Sequence, residues 1–135
     1  MASPDNNDPQ TAASSTNGGE PLAWKVRELL ERVDNDMELF CDLLQMFRED
    51  ARVNLEKANL MLAEGNMLEL SRAAHTLKGM LKNLAMDRAA EAAYALEKAS
   101  REDRRSEVTE LLRQLEVALD EVIPAVDAQL SEAKA

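Results

Sequence analysis

From Leu22 to Val126 the apolar residues recur in steps of three and four, and no stretch alternates with a period of two. That spacing predicts helices and no strands. A first helix, from about Leu22 to Val33, gathers Leu22, Val26, Leu29, Leu30 and Val33 on one face, with Pro21 suited to its first turn. A second follows Asp34-Asn35-Asp36, any of which can cap a helix start, and carries Phe40, Leu43, Leu44, Phe47, Ala51, Asn54, Leu55, Ala58, Met61 and Leu62. Gly65 should end it and Asn66 cap the third, which runs to about Ala85. Asp87 is placed to cap a fourth helix that carries Ala89, Ala92, Ala93, Leu96 and Ala99, an alanine-rich face that can lie close to a neighbour. The polar stretch Ser100 to Ser106 reads as a turn. A fifth helix carries Val108, Leu111, Leu112, Leu115, Leu119, Val122 and Val126. Pro124 lies inside that last pattern and should kink or end it, with fraying beyond.

The fold class predicted is therefore all-α. Four amphipathic helices with short connections make an antiparallel up-down four-helix bundle, and the short N-terminal helix caps one end. Residues 1–20 are Ser-, Asn-, Pro- and Gly-rich and cannot build a core, so they read as a disordered tail or linker, leaving 21–131 for the bundle. Trp24 is placed either to pin the first helix or to stand exposed. Met37, Met46 and Met61 read as core filler, and Met80 as a surface residue.

Composition narrows the chemistry. There is one cysteine, Cys41, so neither an internal disulfide nor a thiolate cluster is available, and a reducing cytoplasm is expected. No apolar run is long enough to span a bilayer, so no membrane association is expected. The net charge of −10 opposes a phosphate backbone, and nucleic acid is a poor partner. The charge is uneven, however. Arg72, Lys78, Lys82, Asp87 and Arg88 give Ser71–Arg88 a net +3, leaving −13 for the rest. A basic spot on an acidic body suits a small anionic group or an acidic protein site.

That spot surrounds His75, the single histidine. Leu70, Ala74, Leu77, Leu81 and Leu84 form the buried stripe of the third helix, and at about 100° per residue His75 lies off it. Ser71, Arg72, Lys78, Gly79 and Lys82 share its side. An exposed imidazole can be a neutral nitrogen nucleophile near neutral pH. Lys78, three residues on, would disfavour imidazolium and then stabilise a phosphoryl group, and Lys82 could do likewise. Gly79 costs a helix interior about 1 kcal/mol relative to alanine. Facing outward, it answers to something that must approach the backbone. A metal-carboxylate bundle would need Glu-x-x-His pairs, but residue 72 is Arg and no second histidine exists.

Ala74-His75-Thr76-Leu77-Lys78-Gly79, followed by Asn83-Leu84, resembles the signature of histidine-containing phosphotransfer (HPt) domains, the four-helix modules of multistep phosphorelays. The likeness covers about residues 35 to 123 and includes Leu43–Phe47, Ala63–Asn66 and Ala95–Ala99. It implies that His75 is phosphorylated on Nε2, that Lys78 contacts the phosphoryl oxygens, and that Gly79 admits a receiver domain. It also implies that Glu97 holds the other ring nitrogen. Partners would be response-regulator receivers or a hybrid sensor kinase, met by a monomer. The Mg²⁺ would belong to the receiver, and this chain would need no cofactor or metal of its own. It would be a phosphocarrier rather than an enzyme, having no nucleotide loop. Met80, Leu81 and Ala85 depart from the family pattern, which has small residues after Lys-Gly and a glycine about six positions on. Alanine at that last place still permits close helix contact. Two competing readings remain: an interaction or scaffold bundle in which His75 is incidental, and a phospho-accepting domain cut from a larger sensor kinase.

Overall fold

The computed structural model describes residues 24–134. The expected tail over 1–20, together with Pro21 and Leu22, lies outside them. The described residues form five helices and no strand: α1 (Val26–Arg32), α2 (Met37–Glu64), α3 (Met67–Asn83), α4 (Asp87–Arg101) and α5 (Arg105–Lys134). α2 packs on α3 and α5, and α4 packs on the same two. The shared core is aliphatic and alanine-rich, with Phe40, Phe47, Leu70, Leu77, Leu81, Leu96 and Leu115 fully buried. Alanines line the buried side of α4 at Ala89, Ala90, Ala93 and Ala99. Small side chains there let neighbouring helices lie close.

The turns follow local chemistry. Asp36 accepts from the Leu39 amide at 3.0 Å and starts α2, while Asn66 accepts from the Glu69 amide at 3.1 Å and starts α3. Between them Gly65 takes a left-handed φ of 72° and its amide returns to Leu62. The α3–α4 turn was expected inside the third helix. Instead α3 stops at Asn83, and buried Ala85 adopts φ 61°. Its amide closes on the Lys82 carbonyl at 3.1 Å and the Met86 amide on that of Leu81 at 2.9 Å. Position 85 thus asks for a left-handed backbone, which a Cβ disfavours by about 1–2 kcal/mol. This is a conformational reason for glycine there, different from the close contact expected.

Because the turn occupies 84–86, Met86 stands at the N-cap of α4 without a side-chain cap bond. Asp87, expected as that cap, lies in the first turn and pairs with Lys25 at 2.8 Å. It still faces the positive end of the helix dipole. The segment before α1 closes over this turn. Trp24 is buried and its Nε1 donates to the Leu84 carbonyl at 2.8 Å, so it pins the chain here. The Lys25 amide donates to the Ala85 carbonyl at 3.1 Å. Arg32 donates to the last carbonyls of α3, Lys82 and Asn83, both at 2.9 Å. α1 itself is shorter than expected, beginning at Val26.

Three further expectations are corrected. α4 runs on to Arg101, and only 102–104 separate it from α5, because Ser100 is buried and its hydroxyl is satisfied by the Leu96 carbonyl at 2.7 Å. α5 neither ends nor frays at Pro124 but continues to Lys134. Pro124 and Asp120 both lie on the solvent face, where water can take up the freed carbonyl, while Val126 and Leu130 hold the last turns against the core. Met37 and Met46 are exposed rather than core residues, whereas Met67 and Met86 are buried.

Candidate phosphotransfer site

α3 and α4 hold the candidate cluster between them. Leu70, Ala74, Leu77 and Leu81 bury one side of α3, which turns His75 outward in its third turn. The His75 side chain is 66 % exposed. On α4, Leu96 and Ala93 point inward, and Glu97 beside them is trapped at the helix interface with its side chain only 7 % exposed.

That carboxylate organises the site. Its Oε2 lies 2.8 Å from His75 Nδ1, and its Oε1 lies 2.8 Å from Lys78 Nζ. Arg101, one turn further along α4, brings Nη1 to 3.6 Å of Oε2. Burial works against the charge on Glu97, but hydrogen bonds from Lys78 and then His75 outweigh it, and the carboxyl stays below its ordinary value. Nδ1–H donating to a carboxylate fixes the ring tautomer and leaves the Nε2 lone pair toward solvent.

Lys78 stands one turn from His75. Its ammonium pairs with Glu97, and it also lies 5.1 Å from the centroid of the exposed Tyr94 ring. Gly79 is exposed, and a Cβ added there would meet nothing within 4 Å. Packing within the described residues therefore gives no reason for a glycine at that position. Lys82 is exposed and does not join the cluster; its carbonyl instead receives Arg32. Ser71, expected on the exposed side, is buried with its hydroxyl on the Leu68 carbonyl at 2.7 Å. Met80 is half-buried, Leu81 fully buried.

The structure thus brings together His75, Lys78 and Glu97, keeps Gly79 beside them, and leaves Lys82 apart. Tyr94 and Arg101 were not anticipated. Their only sequence signal is spacing: they stand three before and four after Glu97, so they share its helix face. Among the described residues no group of three His, Cys, Asp or Glu side chains could hold a metal ion.

The model of the Hpt domain matches residues 42–130, which include α3, α4 and most of α2 and α5. The chain belongs to the Hpt domain family. Hpt domains take part in phosphorelay signalling, as phosphocarriers working with receiver domains and kinases. Comparison with curated proteins and with solved structures returned no match. No helix of the described residues is long and apolar enough to cross a membrane.

Proposed function

We propose that this Hpt domain carries a phosphoryl group on His75 Nε2 between the aspartates of receiver domains. The observation that carries this reading is the pairing of His75 Nδ1 with a buried carboxylate while the rest of the ring stands in solvent. In the forward step the Nε2 lone pair attacks the phosphorus of an aspartyl phosphate. The N–P bond forms as the P–O bond to the receiver carboxylate breaks, and that carboxylate leaves with the bonding pair. Attack through Nε2 places positive charge on a ring that still holds its Nδ1 proton. Glu97, 2.8 Å away, is the matching negative charge. The reverse step hands the group to a second aspartate and returns the ring to its neutral state.

The transition state of such transfers is loose, so positioning and charge carry the catalysis. Glu97 fixes the ring. Lys78 sits one turn away and supplies an ammonium that can turn from Glu97 to the phosphoryl oxygens. Arg101 remains beside Glu97 to keep the buried carboxylate matched when Lys78 turns. Gly79 leaves the helix surface low, so a receiver's acyl phosphate and its Mg²⁺ can reach Nε2. Lys82, farther along the same exposed side, adds to the local positive potential.

In this reading the protein is a monomer working in the cytoplasm, and it acts as a carrier without nucleotide or metal of its own. α2 to α5 form an antiparallel up-down bundle that α1 closes at one end, supported by the short connections and the pairwise packing. The test is incubation with receivers labelled as aspartyl phosphates. The wild-type chain should acquire acid-labile, base-stable label. The His75→Gln variant should acquire none while its circular-dichroism spectrum stays helical.

A further inference from the structure

The outer face of α2 carries a pattern that the His75 cluster does not use. Leu39, Met46, Val53 and Leu60 stand seven residues apart and are 43 %, 59 %, 47 % and 54 % exposed. Asp42, Glu49 and Glu56 repeat at the same interval, three residues after the first three of them. Seven residues fall about 20° short of two turns, so the four apolar side chains make one row that winds slowly around α2, by about 60° from end to end. At 1.5 Å per residue the row is about 32 Å long. The buried side of α2 is occupied by Phe40, Leu44, Phe47, Ala51 and Ala58, so the row faces away from the core. Single exposed apolar residues are ordinary; a periodic row in water calls for an occupant.

We propose that this row is the docking surface for a basic amphipathic helix of a partner protein. The period selects a helix, because a helix with an apolar residue every seven positions meets the row rung for rung. A compact globular surface has no reason to repeat every ~10.5 Å. The charge selects its rim. Glu38, Asp42, Glu49, Asp50, Glu56 and Glu64 surround the row, against Arg52 and Lys57. Arg52 bridges Glu49 at 2.6 Å and Glu56 at 3.2 Å, but such exposed pairs are worth little and exchange readily. A second copy of this chain would lay carboxylates on carboxylates, whereas lysines or arginines flanking an apolar stripe would answer them. With one apolar contact per heptad, the complex is transient rather than permanent. Lys57 of this face reaches Glu69 of α3 at 3.5 Å, so the row runs beside the His75 face without using His75, Lys78 or Glu97.

The probe is a fluorescent helical peptide of about 28 residues, long enough to cover the row, with leucine at every seventh position and lysines beside them. Titration of the full chain, followed by anisotropy, should give saturable binding. Met46→Glu combined with Val53→Glu should weaken it by about tenfold or more at unchanged helicity. Asp42→Lys combined with Glu49→Lys should weaken it similarly. His75→Gln should bind as the wild type does, which separates this proposal from the phosphocarrier reading. Equal affinity for a peptide whose leucines are replaced by serine would reduce the effect to bulk charge and overturn the proposal. So would unchanged binding in the Met46/Val53 variant. A dimer in sedimentation equilibrium that the same variant dissolves would assign the row to a second copy. Lost transfer from receivers in that variant, without any peptide binding, would assign it to the receiver.

Discussion

α2 and α3 each present one face to solvent, and the two faces are built in opposite ways. On α3 the exposed side chains near His75 are polar and are held from below: one buried carboxylate engages both the imidazole and Lys78. On α2 the exposed row is apolar and is covered by nothing among the described residues. The contrast separates two kinds of surface. Chemistry needs a fixed ring and matched charge, which demand a buried partner such as Glu97. Recognition needs area and periodicity, which the fold can leave open until a partner arrives. Substitutions should therefore act on transfer when made at the first surface and on association when made at the second.

The largest expected effect is His75→Gln, which should abolish phosphoryl uptake; retained label would remove the central role of the ring. Next is Glu97→Ala. It frees the imidazole and leaves Lys78 without its partner, and transfer should slow by about 10–100-fold, the usual cost of losing a group that orients a histidine. A rate within twofold of wild type, measured by quenched-flow, would show that the ring needs no holder. Glu97 also makes a pH prediction. Its carboxyl is held below the ordinary value in the folded state, so its contribution to stability is present above the unfolded value of 4.5. That contribution is lost as the pH falls through the lower folded value. Denaturant midpoints of wild type and Glu97→Gln should therefore differ at pH 6 and converge as the solution is acidified; a constant difference would contradict the linkage.

Lys78→Ala should have a smaller effect, slowing transfer or shortening the lifetime of the phosphohistidine, because Arg101 and Lys82 still supply nearby positive charge. Unchanged transfer and an unchanged decay rate would place Lys78 outside the chemistry. The smallest effect is expected far from both surfaces. Ala85→Gly relieves a left-handed φ and should raise stability by about 0.5–1 kcal/mol after the entropy of glycine is counted. A lower thermal midpoint would mean that the buried methyl matters more than the backbone.

Much of the helical layout was legible in residues whose chemistry is local. Asp36, Gly65 and Asn66 mark their boundaries because caps and left-handed turns depend on neighbours in the chain. The outward turn of His75 was legible from the stripe Leu70–Leu84, because helical periodicity is also local. What depended on tertiary register was not. The fate of Lys78 follows from where α4 sets Glu97, and no spacing on α3 reveals it. Arg101 and Tyr94 enter for the same reason. Pro124 misled because its helix-breaking tendency is opposed by the burial of Val126 and Leu130, a contribution invisible to local propensity. Ala85 fits its place by size, but its left-handed backbone angle is the constraint, and local pattern does not reveal it.

The most direct measurement is ¹H–¹⁵N–³¹P correlation spectroscopy on the phosphorylated, ¹⁵N-labelled chain. Phosphorus coupled to Nε2 of His75, with a protonated Nδ1 whose shift changes in Glu97→Gln, is the predicted result. Phosphorus on Nδ1, or on any other residue, would contradict it.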